Sequence, residues 1–280
     1  MCDRCVIESV KDRMLSRRNF LRGGATAGLA AAAIAGGAPP ALAQRAAGGA
    51  GVAAMTIADL TYELYPEFPT YFGVPGFATE QKFKFAENGF NLFVLNVNEH
   101  TGTHIDAPLH FSADAQAVNE IPVENLVAPL AIVDISAKAQ DDADAQLTPE
   151  DLNAWIAANG PLPERCCVAL FSGWGRHLGT DTFRNADADG KMHFPGFHEE
   201  AAAMLLEESS AVGIAVDTLS LDTGQSADFK THYAWLPTNR WGLENVANLE
   251  TLPATGATII VGAPKHRGGS GGPTRVFALT

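Results

Sequence analysis

The sequence has 280 residues, 46% of them hydrophobic and 18% charged, with a formal net charge of −13. That length suits one sizeable domain or two small ones. So acidic a chain is repelled by nucleic acid and by anionic membrane surfaces, which leaves a small molecule as the expected partner.

Residues 1–43 read as an export signal. Arg17-Arg18 is followed by Phe20-Leu21, then by a run of Ala and Gly with scattered Leu and Ile, then by Ala41 and Ala43 before Gln44. Paired arginines ahead of Phe-Leu are of the twin-arginine type, and small residues two apart suit cleavage after Ala43. The alternative, a membrane-anchoring helix, is disfavoured because the apolar stretch is short and glycine-rich for a bilayer span. Cleavage removes six basic and three acidic side chains and moves the net charge to −16. The expected location is periplasmic or extracellular, with no stable membrane association after cleavage. Residues 44–54 read as a flexible leader, and 55–280 as one domain.

In chain order, apolar runs predict strands near 90–97 and 130–135. Thr148-Pro149-Glu150-Asp151 then carries a capping hydroxyl, a proline at the first helical position and an acid three residues after the cap. It opens a helix that places Leu152, Trp155 and Ile156 on one face and stops at Asn159-Gly160. Further strands are predicted at 166–171, 212–217, 257–262 and 274–279. Helices are predicted over 197–209 and, shorter, over 243–249. Strands alternating with helices indicate an α/β domain with a mixed sheet. There is no GxGxxG and no GxxxxGK[ST], so nothing points to a nucleotide. Adjacent Cys166 and Cys167 lie in an apolar run and read as buried free thiols, with a vicinal disulfide as the alternative.

The densest chemistry is at residues 100–110, where His100, His104, Asp106 and His110 stand at spacings of four, two and four. Even offsets on an extended chain point to one face. Gly102 and Pro108 disfavour a helix, so the cluster belongs at a strand end and the turn after it. Imidazoles with a carboxylate suit Zn²⁺ or Mn²⁺ without thiolate. Such an ion lowers the pKa of bound water toward ~7, making hydroxide available at neutral pH. His110 on the same face can then move protons.

This stretch resembles the HxGTHxDxPxH motif of the metal-dependent cyclase family, which includes bacterial kynurenine formamidases, isatin hydrolases and some dienelactone hydrolases. Asp59-Leu60-Thr61, residues 69–73, residues 212–218 and residues 272–279 are similar to further family segments. The resemblance implies a single domain with a partly barrel-like mixed sheet flanked by helices. It implies His100, His104 and Asp106 as ligands of a first metal, with Asp106 bridging to a second, and His110 as proton donor and acceptor. The family's formamidases complete the site with a His and, twelve residues later, a Glu. His232 and Glu244 have that separation, which implies two metals, zinc with manganese as the alternative. Tyr71 stands where those formamidases carry a substrate-touching Trp and is expected to play the aromatic part. The chain is also longer through 176–191, a stretch expected to lid the pocket or support an oligomer.

The expected activity is hydrolysis of a carbonyl C–N or C–O bond in a small amide, lactam or lactone. Metal-bound hydroxide would attack and His110 would shuttle the proton. The rivals are a lyase or cyclase acting through an enolate, and a non-catalytic exported metal-binding protein. Asp217 and Asp222 are expected to support the site, for instance by orienting a ligand histidine, or to be plain turn residues. Phe111, Trp174, Trp235 and Trp241 are candidates for a pocket wall, with core packing as the default for each. His177, His193 and His198 are expected on the surface or behind the ligands. The family implies a dimer or tetramer.

Overall fold

The computed structural model describes residues 56–280. The expected export signal, residues 1–43, and the expected leader, residues 44–54, lie outside the described residues. Continuous apolar runs such as 130–133 and 167–170 lack hydrophobic alternation because they form strands buried on both faces. Strands β1 (Ile57–Asp59), β2 (Phe77–Phe83), β3 (Leu92–Val97), β4 (His104–Asp106), β5 (Val127–Asp134), β6 (Gln146–Leu147), β7 (Cys167–Phe171), β8 (Gly196–Phe197), β9 (Gly213–Val216), β10 (Trp241–Glu244), β11 (Ala257–Gly262), β12 (Gly271–Pro273) and β13 (Arg275–Leu279) are joined by 3-10 turns and helices. The helices are α1 (Phe85–Asn88), α2 (Ser136–Asp141), α3 (Pro149–Asn159), α4 (Glu199–Glu208) and α5 (Lys230–Trp235).

The chain divides into two compact units. In the smaller, the described residues are 80–94, most of the β2–β3 hairpin. Leu92, Phe93 and Val94 of its second strand are each about half exposed. The larger unit holds residues 54–79 and 95–280. It contains a nine-stranded mixed sheet in the order β1-β13-β11-β5-β7-β9-β10-β4-β12. β5, β7, β9 and β10 run parallel in the middle, and the flanking pairings are antiparallel.

Two cores lie on opposite faces of this sheet. Ala131, Val133, Val168, Leu170, Ile214 and Val216 face α3 and α4, against Leu152, Trp155, Ala201 and Leu205. Leu130, Ile132, Ala169 and Ala215 face the other way and share one cluster with Ile105 of β4 and with Val276 and Ala278 of β13. Strands from both ends of the sheet meet in that single cluster because the sheet curls into a partial barrel. Cys166 and Cys167 enter opposite cores. Neighbouring strand residues point to opposite faces, so the two thiols stay free and buried. Burial pushes both thiols up in pKa, which keeps them protonated and unreactive. Among the described residues no helix is long and apolar enough to cross a membrane.

α3 begins where the capping pattern predicts, with the Thr148 backbone N–H donating to Asp151 Oδ2 at 2.8 Å. It stops at Gly160, whose φ of 90° needs a glycine. α4 starts after His198, whose Nδ1 accepts from the Glu200 N–H, so this histidine is a helix cap. The helix predicted over 243–249 is not formed. Residues 241–244 are β10, paired on both sides by β9 and β4. Asn245 and Asn248 then take φ of 55° and 56°, left-handed values that end regular structure. Only a 3-10 turn, Leu249–Thr251, follows. Two sheet ladders outweigh the weak helical periodicity of this stretch.

Candidate metal centre

Residues 100–110 begin in the loop after β3, form β4 and end in the 3-10 turn Pro108–Phe111. β4 pairs antiparallel to β10, with Glu244 opposite His104 and Gly242 opposite Asp106. Glu244 thereby stands at the carboxyl end of the parallel strands, where α/β sheets place their ligands. His232 arrives from α5, which starts just after Phe229. Asp106 is fully buried, and His104, His232 and Glu244 are nearly so.

The donors form two overlapping groups that share Asp106. One is His104, Asp106 and Glu244, and the other is His100, Asp106 and His110. His104 Nε2 lies 3.4 Å from Asp106 Oδ1 and 3.3 Å from Glu244 Oε2. His232 Nε2 lies 3.2 Å from Glu244 Oε1 and 3.7 Å from Asp106 Oδ2. His100 and His104 belong to different groups, joined through Asp106. His110 stacks on His100 with ring centroids 3.7 Å apart.

Each inner imidazole has its remote nitrogen fixed. His104 Nδ1 donates to the Gly102 carbonyl at 2.9 Å, and His232 Nδ1 donates to Asp222 Oδ2 at 2.5 Å. Neither a carbonyl nor an ionised carboxylate can donate, so in the neutral rings Nε2 carries the lone pair. Those lone pairs face carboxylate oxygens, an arrangement that needs a cation between them. His104 Nε2 and Asp106 Oδ2 are indeed buried with no hydrogen-bond partner. Nitrogen and oxygen donors around two carboxylates therefore fit a divalent ion of the zinc or manganese kind.

The electrostatics say the same. Burial alone would lower His104, but the Asp106 and Glu244 carboxylates beside its ring push it up to about 10. Burial works against charge on Asp106, yet contacts with His100, His104 and His232 hold its carboxyl well below the usual range. The cluster demands positive charge, which protons supply when no ion is bound. Burial pushes His110 down to about 4, with His100 and His232 acting in the same sense. Its ring is neutral at physiological pH and able to accept a proton.

Above the donors is a cavity of about 340 Å³. Tyr71, Phe72, Phe111 and Phe229 wall it, and His100, His104, His110, His232 and Glu244 line its floor. Tyr71 therefore lies where an aromatic wall residue is expected. Of the four candidate wall aromatics only Phe111 lines this cavity, its ring 4.5 Å from that of His232. Trp174, Trp235 and Trp241 are buried in the cores. Phe229 has no distinguishing sequence pattern, yet its φ of 50° is a left-handed value that a bulky residue rarely holds.

Supporting groups surround the floor. Asp222 accepts from the Thr231 and His232 backbone N–H groups as well as from the His232 ring. Asp217 instead accepts from Ser172 and Trp174 and shapes the loop after β7. Ser270, unmarked in the sequence, sits 3.0 Å from His100 Nε2 and donates to Glu99. His193 is partly exposed and bonds to Asp144 outside the site. In the 176–191 insert, Phe183 packs with Trp174, Met192, Phe194 and Leu219, and Tyr71 leans on this cluster. Arg184 from the insert donates to the Tyr71 carbonyl at 3.1 Å. The insert thus braces the loop that carries the pocket wall.

A family model described as "Putative cyclase" matches residues 58–223. The chain belongs to the cyclase family. Its relatives include an isatin hydrolase of Roseibium aggregatum, 33% identical over 68% of this chain and 74% of that protein. A kynurenine formamidase of Salinibacter ruber is 31% identical over 68% of this chain and 80% of that protein. Among solved structures, isatin hydrolase A from Ralstonia solanacearum superposes with a TM-score of 0.77 at 33% identity, covering 88% of this chain and all of that one. The chain is a cyclase-family hydrolase with the donor set of a divalent-metal centre.

Proposed function

We propose that this protein hydrolyses a carbonyl C–N or C–O bond in a small amide, lactam or lactone, with an aromatic group seated between Tyr71, Phe72, Phe111 and Phe229. The observation that carries this reading is the aromatic-walled cavity set directly over imidazole lone pairs that face buried carboxylates. His100, His104, Asp106, His232 and Glu244 would hold two divalent ions, zinc or manganese, with Asp106 common to both. A bound ion of this kind supplies Lewis acidity, acidifying water and polarising a carbonyl oxygen.

The chain's own residues do the rest. The aromatic walls exclude water and orient a flat substrate. Neutral His110 takes the proton released as water adds to the carbonyl carbon, then gives it to the departing nitrogen or oxygen. Asp222 and the Gly102 carbonyl hold the inner imidazoles by their Nδ1 atoms, so that both Nε2 atoms face the floor.

The test is purification without chelator, elemental analysis, and turnover of isatin, N-formylkynurenine and simple lactones in oxygen-18 water. One label per product and at least one bound zinc or manganese per chain are expected. A correctly folded, metal-free protein, or unlabelled product, overturns the reading. His110→Ala is expected to keep its metal and lose turnover by about 10²–10⁴-fold. Two further readings accompany this one. The twin-arginine pattern of residues 1–43 supports export to the periplasm or beyond, tested by fractionation. The exposed apolar strand β3 supports a homo-oligomer, since a lone two-stranded hairpin is marginal in water; light scattering reads its size.

A further inference from the structure

We infer that Asn245 is a positioning residue of the metal centre, acting on His104 through the Gly102 carbonyl. Two donors meet at that oxygen. His104 Nδ1 donates to it at 2.9 Å and Asn245 Nδ2 donates to it at 3.0 Å. The carbonyl has two lone pairs, and both are used. Because it accepts only, the amide nitrogen of Asn245 must be the atom turned toward it, which fixes the orientation of the side chain.

The carbonyl needs such an anchor because of its own geometry. Gly102 has φ of 69°, a left-handed turn that points its carbonyl back toward the His104 ring. A peptide in so sharp a turn can rotate, and rotation would release Nδ1 and leave the ring free to flip. Asn245 grips the same turn a second time. The Thr103 hydroxyl donates to the Asn245 carbonyl at 2.6 Å, while the Asn245 N–H donates to Thr218. The residue also holds φ of 55°, which asparagine tolerates better than most side chains.

Stability alone does not account for the amide. Asn245 is 2% exposed, and its Oδ1 is buried without a partner. Its backbone already ties β10 to the turn through Thr103. What the amide adds is a fixed direction for the Gly102 oxygen, and with it the Nδ1–H form of His104 that leaves Nε2 facing Asp106 and Glu244. This rests on the functional reading above.

The test uses the full chain stripped of metal, with zinc and then manganese titrated against a competing chelator. Asn245→Gly keeps the left-handed backbone and the carbonyl bonded to Thr103, and removes only the amide. Asn245→Asp keeps the shape and sets a carboxylate oxygen against the Gly102 carbonyl. Both are expected to lose 10–100-fold in metal affinity, while the metal-free form of Asn245→Gly melts within a few degrees of wild type. Nitrogen-15 spectra of the loaded wild type should show the His104 proton on Nδ1. Affinity of Asn245→Gly within twofold of wild type, or a proton on Nε2, overturns this inference alone. If the wild type binds neither metal, the functional reading fails first and this one with it.

Discussion

Gly213→Ala tests how closely the packing behind the site is specified. A Cβ at position 213 would come closer than 3.0 Å to three ring carbons of Trp241. Carbon atoms in good contact sit about 3.5–4.0 Å apart, so ring or strand must move by more than ~0.5 Å. The ring has little freedom, because Trp241 is buried and its indole N–H donates to the Asn125 carbonyl at 3.0 Å. Overpacking of this kind costs on the order of 1–3 kcal/mol. Gly to Ala returns about 0.5–1 kcal/mol by restricting the unfolded chain, so a net loss of about 1 kcal/mol is expected. Gly213 lies opposite Trp241 in the β9–β10 ladder, and Glu244 is three residues further along β10. Displacing that strand should also weaken metal binding. Urea unfolding of the metal-free protein reads the first effect and a chelator competition the second. A stability loss under 0.5 kcal/mol would show that the indole yields without strain, and the packing argument would fail.

Three other perturbations address the site and its supports. Asp222→Asn turns an amide toward His232 Nδ1 and should move the ring proton to Nε2; metal affinity should fall about 10–100-fold, and unchanged affinity in a titration would refute the orienting role. Arg184→Ala removes the bond that braces the Tyr71 carbonyl; with ~1 kcal/mol at stake, KM should rise about fivefold at unchanged metal content, read by steady-state kinetics on whichever probe substrate turns over. Asp217 lies above its usual pKa of 3.8, at about 6, chiefly through burial. Its protonated form is therefore favoured by folding, a contribution complete below about pH 4 and lost as pH rises through about 6. The stability deficit of Asp217→Asn should accordingly shrink by about 2 kcal/mol between pH 4 and 7, and a deficit independent of pH across denaturation curves would refute it.

The central strands were legible in the sequence because a run such as 167–170 is apolar without alternation. The capping pattern likewise marked the start of α3. The region after residue 241 was not legible, because the pairing of β10 with β4 and β9 depends on residues distant in sequence. Motif and family resemblance point to His100, His104, Asp106, His110, His232 and Glu244, and the fold brings five of them to one cavity floor with Asp106 buried against them. Spacing could not reveal how the donors divide, since that follows from Asp106 lying between the loop histidine and the strand histidine. Phe229 and Ser270 carry no pattern and reach the site only through the turns that hold them. Asn245 follows Glu244 directly in sequence, but the role of its amide depends on the Gly102 carbonyl on the approach to β4.

β4 and β10 are joined across more than a hundred residues of sequence. Loop-closure entropy makes such a ladder slow to nucleate, so it belongs to the late part of folding. Until it closes, the chain offers an ion only the donors of residues 100–110, a weak and incomplete set. Tight metal capture therefore becomes possible only when the last strands are in register. An ion that binds only the completed site therefore stabilises the finished topology and gives little advantage to its precursors.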